Sequence, residues 1–118
     1  MPVRSLNSAV LRWPRREEVL DAARRWAAQL RQRDPAVRYV FAVGSYARGD
    51  WGVGSDLDVI VILGETNLTP VERYARYYPD GVPVPADVWV YTQAEWAALH
   101  ERSPLLAQRL EREAVSLL

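Results

Sequence analysis

Three aspartates carry most of the chemistry open to this sequence. Asp56 and Asp58 stand two positions apart at the head of Val59 to Leu63, a continuously apolar run. Side chains alternate along a strand, so both carboxylates point to one face with Cα atoms about 6.5 to 7 Å apart. Two like charges aimed together raise a pKa and cost stability unless they share a cation. Ligation by oxygen alone selects a hard ion, and Mg2+ suits a site where substrate phosphates complete an octahedral shell. Asp87 is the only charge in the stretch Ala86 to Tyr91, where a half-buried strand ordinarily carries an apolar or neutral residue. If that strand lies beside the first, Asp87 joins the pair. Three acids can hold two metals about 3.5 to 4 Å apart, one activating an attacking oxygen and one bracing a leaving phosphate.

Gly44-Ser45 supplies the complementary part. A glycine ending a strand lets the backbone turn sharply and approach a ligand closely, and the N–H groups that follow, with the Ser45 hydroxyl, can cradle phosphate oxygens. Arg48 is placed to add a guanidinium. A loop that binds anions beside a strand that binds cations describes a site for a metal-bound nucleoside triphosphate. Each residue also has a plainer reading. Asp56 and Asp58 could face water at an exposed strand start, Asp87 could be a sheet-edge charge, Ser45 an ordinary turn hydroxyl, and Arg48 a partner for Asp50. The spacing of Gly44-Ser45 and the aspartates favours the site.

These residues need a sheet to hold them. Apolar residues at Val19, Leu20, Ala23, Trp26, Ala27 and Leu30 have helical spacing, which predicts a helix from Pro14, a favoured first helical residue, to about Arg33. Asp34-Pro35 ends it. Val37 to Val43 reads as a strand, Gly44 to Ser55 as a loop or short turn, and Asp56 to Leu63 as a strand buried on both faces. Thr69-Pro70-Val71-Glu72 and Thr92-Gln93-Ala94-Glu95 are capping boxes opening helices; the first helix carries Tyr74, Tyr77 and Tyr78, and the second runs through about His100. Ala86 to Tyr91 is a third strand. Ser103-Pro104 restarts a helix to about Arg112, and Ala114 to Leu118 closes with a short strand. The order predicts an α+β domain, a mixed β-sheet with helices packed on it, and lacks the regular βαβ alternation and Gly-rich turn of a dinucleotide fold.

Composition narrows the alternatives. With 118 residues, 49% of them hydrophobic, the chain is expected to form one domain, 1–118, with a single core. There is no cysteine and one histidine, His100, so disulfides, thiolate nucleophiles, Cys-based zinc sites and most histidine-dependent catalysis are excluded or disfavoured. No apolar stretch approaches the length of a bilayer span and no basic-then-apolar leader opens the sequence, which predicts a cytoplasmic protein with no membrane role. Net charge is zero and all 15 basic residues are arginine, a bias that base composition explains as well as phosphate binding does. Residues 1–38 hold nine arginines against four acids. They read as a solvated helix face, with Asp21 and Arg25 as an i,i+4 pair, and nucleic acid is a less favoured partner. Trp13, Trp26, Trp89 and Trp96 are assigned to packing and Trp51 to the site loop. The tyrosine cluster is assigned to core or interface in preference to base stacking. His100 is expected to be solvated near a helix end.

Gly-Ser, ten intervening residues, Asp-x-Asp, and a later Asp on its own strand together resemble the signature of the DNA polymerase β-like nucleotidyltransferase superfamily. The small stand-alone members, the minimal nucleotidyltransferases, are the most similar. The likeness extends over the leading helix with Trp13-Pro14, Gly44 to Asp58, Pro83 to Asp87 and the closing Glu111 to Leu118. It implies the helix-strand-turn-strand-X-strand-helix fold of that superfamily. It also implies transfer of a nucleoside monophosphate, AMP from ATP above all, to a hydroxyl, with pyrophosphate released. Gly44, Ser45 and Arg48 then bind the triphosphate, Asp56 and Asp58 hold metal, and Asp87 is the third ligand or the base. Larger relatives carry a second domain for the acceptor, which this length does not accommodate. The resemblance therefore implies an acceptor held by another chain: a second copy, or a small helical partner of the HEPN type that such a protein opposes as an antitoxin, by modification or by binding alone.

Overall fold

The computed structural model describes residues 13–118; the expected domain boundary at residue 1 lies outside the described residues. The predicted apolar stripe forms α1 (Arg16–Arg33), which buries Val19, Leu20, Ala23, Trp26, Ala27 and Leu30. The helix starts two residues later than Pro14 suggests, with Arg15 as an extended N-cap. The segment ahead of it is held elsewhere, by the Trp13 indole N–H donating to the Tyr46 hydroxyl at 2.7 Å. On the exposed face Asp21 pairs with Arg24 at 3.1 Å, an i,i+3 contact in place of the expected partner Arg25.

The chain continues through β1 (Val37–Val43), α2 (Gly44–Arg48), β2 (Leu57–Leu63), α3 (Pro70–Tyr77), β3 (Ala86–Thr92), α4 (Gln93–Arg102), α5 (Pro104–Glu113) and β4 (Val115–Ser116). Gly44–Arg48, expected as loop, is a five-residue helix. It is closed by Gly49, whose left-handed φ of 93° lets its N–H reach the Ser45 carbonyl. Both capping boxes are present: Thr69 and Glu72 bond reciprocally at the start of α3, and Thr92 and Glu95 at the start of α4.

The four strands form one mixed sheet in the order β3-β2-β1-β4. β1 pairs antiparallel with β2 and β4, whereas β2 and β3 run parallel. A parallel neighbour needs a crossover, which α3 and its flanking loops supply. Helices cover both faces. On one, α1 packs over Val40, Ala42, Leu57, Val59, Val61, Leu63 and Val88; on the other, Val43, Ile60 and Ile62 meet Phe41, Tyr91, Trp96, Leu110 and Ala114. The apolar run Val59 to Leu63 of β2 is therefore buried on both sides, as predicted. Asp58, one step ahead of them, is the only residue of β2 that is not buried.

Arg73 clamps the crossover to the sheet. Its guanidinium donates to the Leu68 and Val90 carbonyls and makes a two-pronged contact with Glu95 at 2.6 and 3.2 Å. Glu95 consequently sits below the usual carboxylate range, first through that hydrogen bond and then through its cap contacts with Thr92. Beneath the crossover the Tyr77 hydroxyl donates to Asp34. Burial and that carboxylate push its phenol up to about 12.

Candidate active site

The bend after β1 is built around a glycine for a specific reason. Gly44 has φ +77°, and a Cβ there would overlap the Asp58 Oδ2 atom and stand 3.3 Å from its Cγ. Val43 is the register partner of Asp58 across the β1–β2 ladder, so the strand turns directly over that carboxylate. Glycine is required by the aspartate beside it as much as by any ligand.

The short helix that follows is tied down from two directions. At its C-terminal end the Arg16 guanidinium, reaching from α1, donates to the Tyr46 carbonyl at 2.6 Å and the Ala47 carbonyl at 3.1 Å, groups that a helix end leaves without intrahelical partners. The Tyr46 ring is fully buried and stacks on Trp51 with centroids 5.5 Å apart; Trp51 thus braces the loop more than it faces solvent. At the N-terminal end the Glu113 carboxylate, the last residue of α5, accepts from the Gly44 N–H at 2.6 Å and from Arg48 Nη1 at 3.0 Å. Arg48 also holds Asp50, Nε to Oδ2, at 3.2 Å. The ordinary reading of Arg48, a partner for Asp50, is thus met, and its guanidinium still borders the cavity described next.

Gly44, Ser45, Arg48, Asp56 and Asp58 line one cavity of about 600 Å³, within the range of small-ligand sites. Asp56 is exposed, one residue ahead of β2, and Asp58 is half-buried. Asp87 does not line that cavity. It stands beside it, matched to Asp58 in the parallel ladder, and therefore on the same sheet face. There it accepts from the Tyr74 hydroxyl at 3.5 Å.

The charges of the other two aspartates are felt at Asp58. Asp58 is held above its ordinary value, first by burial and then by the charges of Asp87 and Asp56, with Glu113 adding to the effect and Arg48 opposing it. The site is short of positive charge. Among the described residues no group of three or more histidine, cysteine, aspartate or glutamate side chains is placed to hold a metal ion as it stands. Mg2+ does not require one, because it is commonly held by one or two carboxylates with substrate phosphates and water completing the shell. An all-oxygen set with a carboxylate under like-charge pressure fits such an ion.

Several residues lining the site lie outside the aspartate-centred reading, Glu113 and Trp89 among them. Glu113 enters the sequence pattern only within the closing stretch Glu111 to Leu118, yet it carries a signal: an acid in the last turn of a helix opposes the macrodipole and needs another reason to be there. Trp89, assigned to packing, is instead 44% exposed and lines the cavity. Of the tyrosine cluster, Tyr77 is core whereas Tyr74 and Tyr78 are exposed. His100 is not simply solvated. Its Nδ1 contacts the Trp96 carbonyl at 2.9 Å and its Nε2 lies 3.0 Å from Glu111, linking α4 to α5.

No curated protein matches the sequence. Among solved structures, a putative nucleotidyltransferase from Sulfolobus solfataricus shares the fold with a TM-score of 0.58 at 19% identity, over 86% of this chain and 80% of that one. A toxin-antitoxin structure with AMP-PNP does so with a TM-score of 0.55 at 21% identity, over 80% of this chain and 72% of that one. Residues 23–115, most of the described sheet and helices, match the nucleotidyltransferase domain family, and the chain belongs to that family as a nucleotidyltransferase.

Proposed function

We propose that this domain transfers a nucleoside monophosphate, AMP from ATP, to a hydroxyl of a protein partner, with Asp56, Asp58 and Asp87 holding Mg2+ and the Gly44-Ser45 bend receiving the triphosphate. The observation that carries the reading is the convergence of Gly44, Ser45, Asp56 and Asp58 on one cavity, with Asp87 in register beside Asp58. Bound Mg2+ would neutralise the polyphosphate and the charge that builds up during transfer. The chain's own residues do the positioning. Glu113 and Arg16 hold the two ends of α2 and thereby fix where the Ser45 hydroxyl and the backbone N–H groups of the bend are presented. Arg48, braced by Asp50 and Glu113, adds positive charge at the cavity edge. Asp87, at the open side of the sheet, is the group an incoming hydroxyl meets, and takes its proton as a general base.

The acceptor is assigned to another chain. A toxin-antitoxin assembly with AMP-PNP among the structures of similar fold supports a protein as that partner.

The test is to co-express the chain with candidate partners and incubate the complexes with α-phosphate-labelled ATP and Mg2+. Label should appear on a partner hydroxyl and be lost with Asp58→Asn, which keeps the side chain's shape and removes its charge. Tight complexes that never acquire label would replace the transfer reading with an antitoxin that acts by binding.

A further inference from the structure

The cavity changes character along its length. Where β2 and β3 run parallel, successive residue pairs on one face form rows: Asp58 beside Asp87, then Ile60 beside Trp89, then Ile62 beside Tyr91. The rows are about 6.5 to 7 Å apart, so the floor passes from carboxylate to hydrocarbon and aromatic surface within one step. The roof follows the same order. Leu106, Arg109, Leu110 and Glu113 all line the cavity and, three or four positions apart, form one face of α5. Glu113 reaches the Gly44 bend and Leu110 packs with Ile60, so the aliphatic residues of this face lie away from the bend.

Trp89 is the large aromatic of this arrangement. It stands on the edge strand β3, with a neighbouring strand on one side only. Ile60, its partner in the ladder, is 2% exposed, whereas Trp89 is 44% exposed. Its open ring borders the same cavity as the carboxylate end.

We infer that the Trp89–Leu106–Leu110 bay is the seat of the nucleobase, so that the site takes a nucleoside triphosphate by stacking its planar base on Trp89 while its phosphates lie at the Gly44 and Asp58 end. The inference rests on the nucleotidyl-transfer reading above and adds what that reading leaves open, the part of the substrate recognised beyond its phosphates. Continuity supports it: the bay and the carboxylates belong to one cavity, and a ligand that is anionic at one end and flat and apolar at the other matches both. Stacking is tolerant of base identity because every base has a π-face. The bay therefore selects for the presence of a base more strongly than among bases.

Binding of two ligands, measured by calorimetry in Mg2+, separates the base seat from the phosphate site. ATP has both ends and inorganic tripolyphosphate only one. Wild type should bind ATP more tightly than tripolyphosphate. Trp89→Ala should weaken ATP by about ten- to a hundredfold, the range a base stack supplies, and leave tripolyphosphate unchanged. Trp89→Phe should restore most of the margin. Circular dichroism of both variants verifies folding. An ATP margin that survives Trp89→Ala overturns the base seat alone. Failure of both ligands to bind wild type overturns the nucleotide reading and the seat with it.

Discussion

Replacing Gly44 by alanine tests how tightly the bend is built against Asp58. Two costs are separable. The first is conformational: a left-handed residue with a Cβ costs about 1–2 kcal/mol. The second is steric, because the new methyl would occupy the space of the Asp58 Oδ2 atom; forcing a carboxylate aside in a packed setting costs about 1–3 kcal/mol. Gly44→Ala should therefore destabilise the protein by about 2–5 kcal/mol in urea unfolding. Gly81 is a control from elsewhere in the fold, with φ +75° and no atom within 4 Å of the place a Cβ would take, so Gly81→Ala should cost only the conformational part. In an Asp58→Ala background the steric part should vanish from Gly44→Ala as well, leaving a coupling of about 1–3 kcal/mol between the two sites. A Gly44→Ala cost no greater than that of Gly81→Ala, or one that persists without the Asp58 side chain, would refute the claim that this carboxylate dictates the glycine.

Other perturbations follow from the same contacts. Because Asp58 is held above its ordinary value, its ionised form is disfavoured in the folded state. Asp58→Asn should raise the melting temperature of metal-free protein at pH 7, a gain that shrinks as pH falls toward the ordinary value of 3.8; an unchanged or lower melting temperature at pH 7 would count against it. His100 is held above its ordinary value of 6.5, first by the Trp96 carbonyl and then by Glu111. Its contribution should be complete below that value and lost as pH rises through the elevated one. Wild type and His100→Gln should accordingly differ more in melting temperature at pH 6 than at pH 9. Arg73→Met removes the clamp on the crossover and should cost about 1–3 kcal/mol at pH 7, measured by urea unfolding. The Glu95 share of that loss should fade as pH drops below 4.5, through the depressed value of the folded state.

Long periodic elements were legible in the sequence, and so was the order of the sheet's building blocks. The apolar stripe of α1, the limits Val37–Val43 of β1 and both capping boxes depend on local chemistry that the residues themselves display. Of the carboxylates, Asp58 and Asp87 fall within β2 and β3 as expected, whereas Asp56, expected in the strand, lies one residue ahead of β2. What sequence could not show were contacts made by distant segments. α2 looked like loop because five residues beginning with glycine have little helical preference of their own; Arg16 from α1 and Glu113 from α5 stabilise it. Trp89 reads as core because burial on a strand depends on its place in the sheet, and only the strand order puts β3 at the edge. Asp21 chose Arg24 over Arg25 for a similarly small reason, since both spacings bring side chains together on a helix.

The parallel pairing of β2 and β3 bears on the order of folding events. A hairpin could bring two acids together early and locally, but Asp58 and Asp87 become neighbours only after the whole crossover carrying α3 has closed, a non-local step that loop entropy slows. The repulsion between them is therefore met only once that crossover has closed. Refolding should pass through a stage with β1 and β2 already paired and the carboxylates still apart, and a divalent ion should act chiefly by slowing unfolding of the finished sheet.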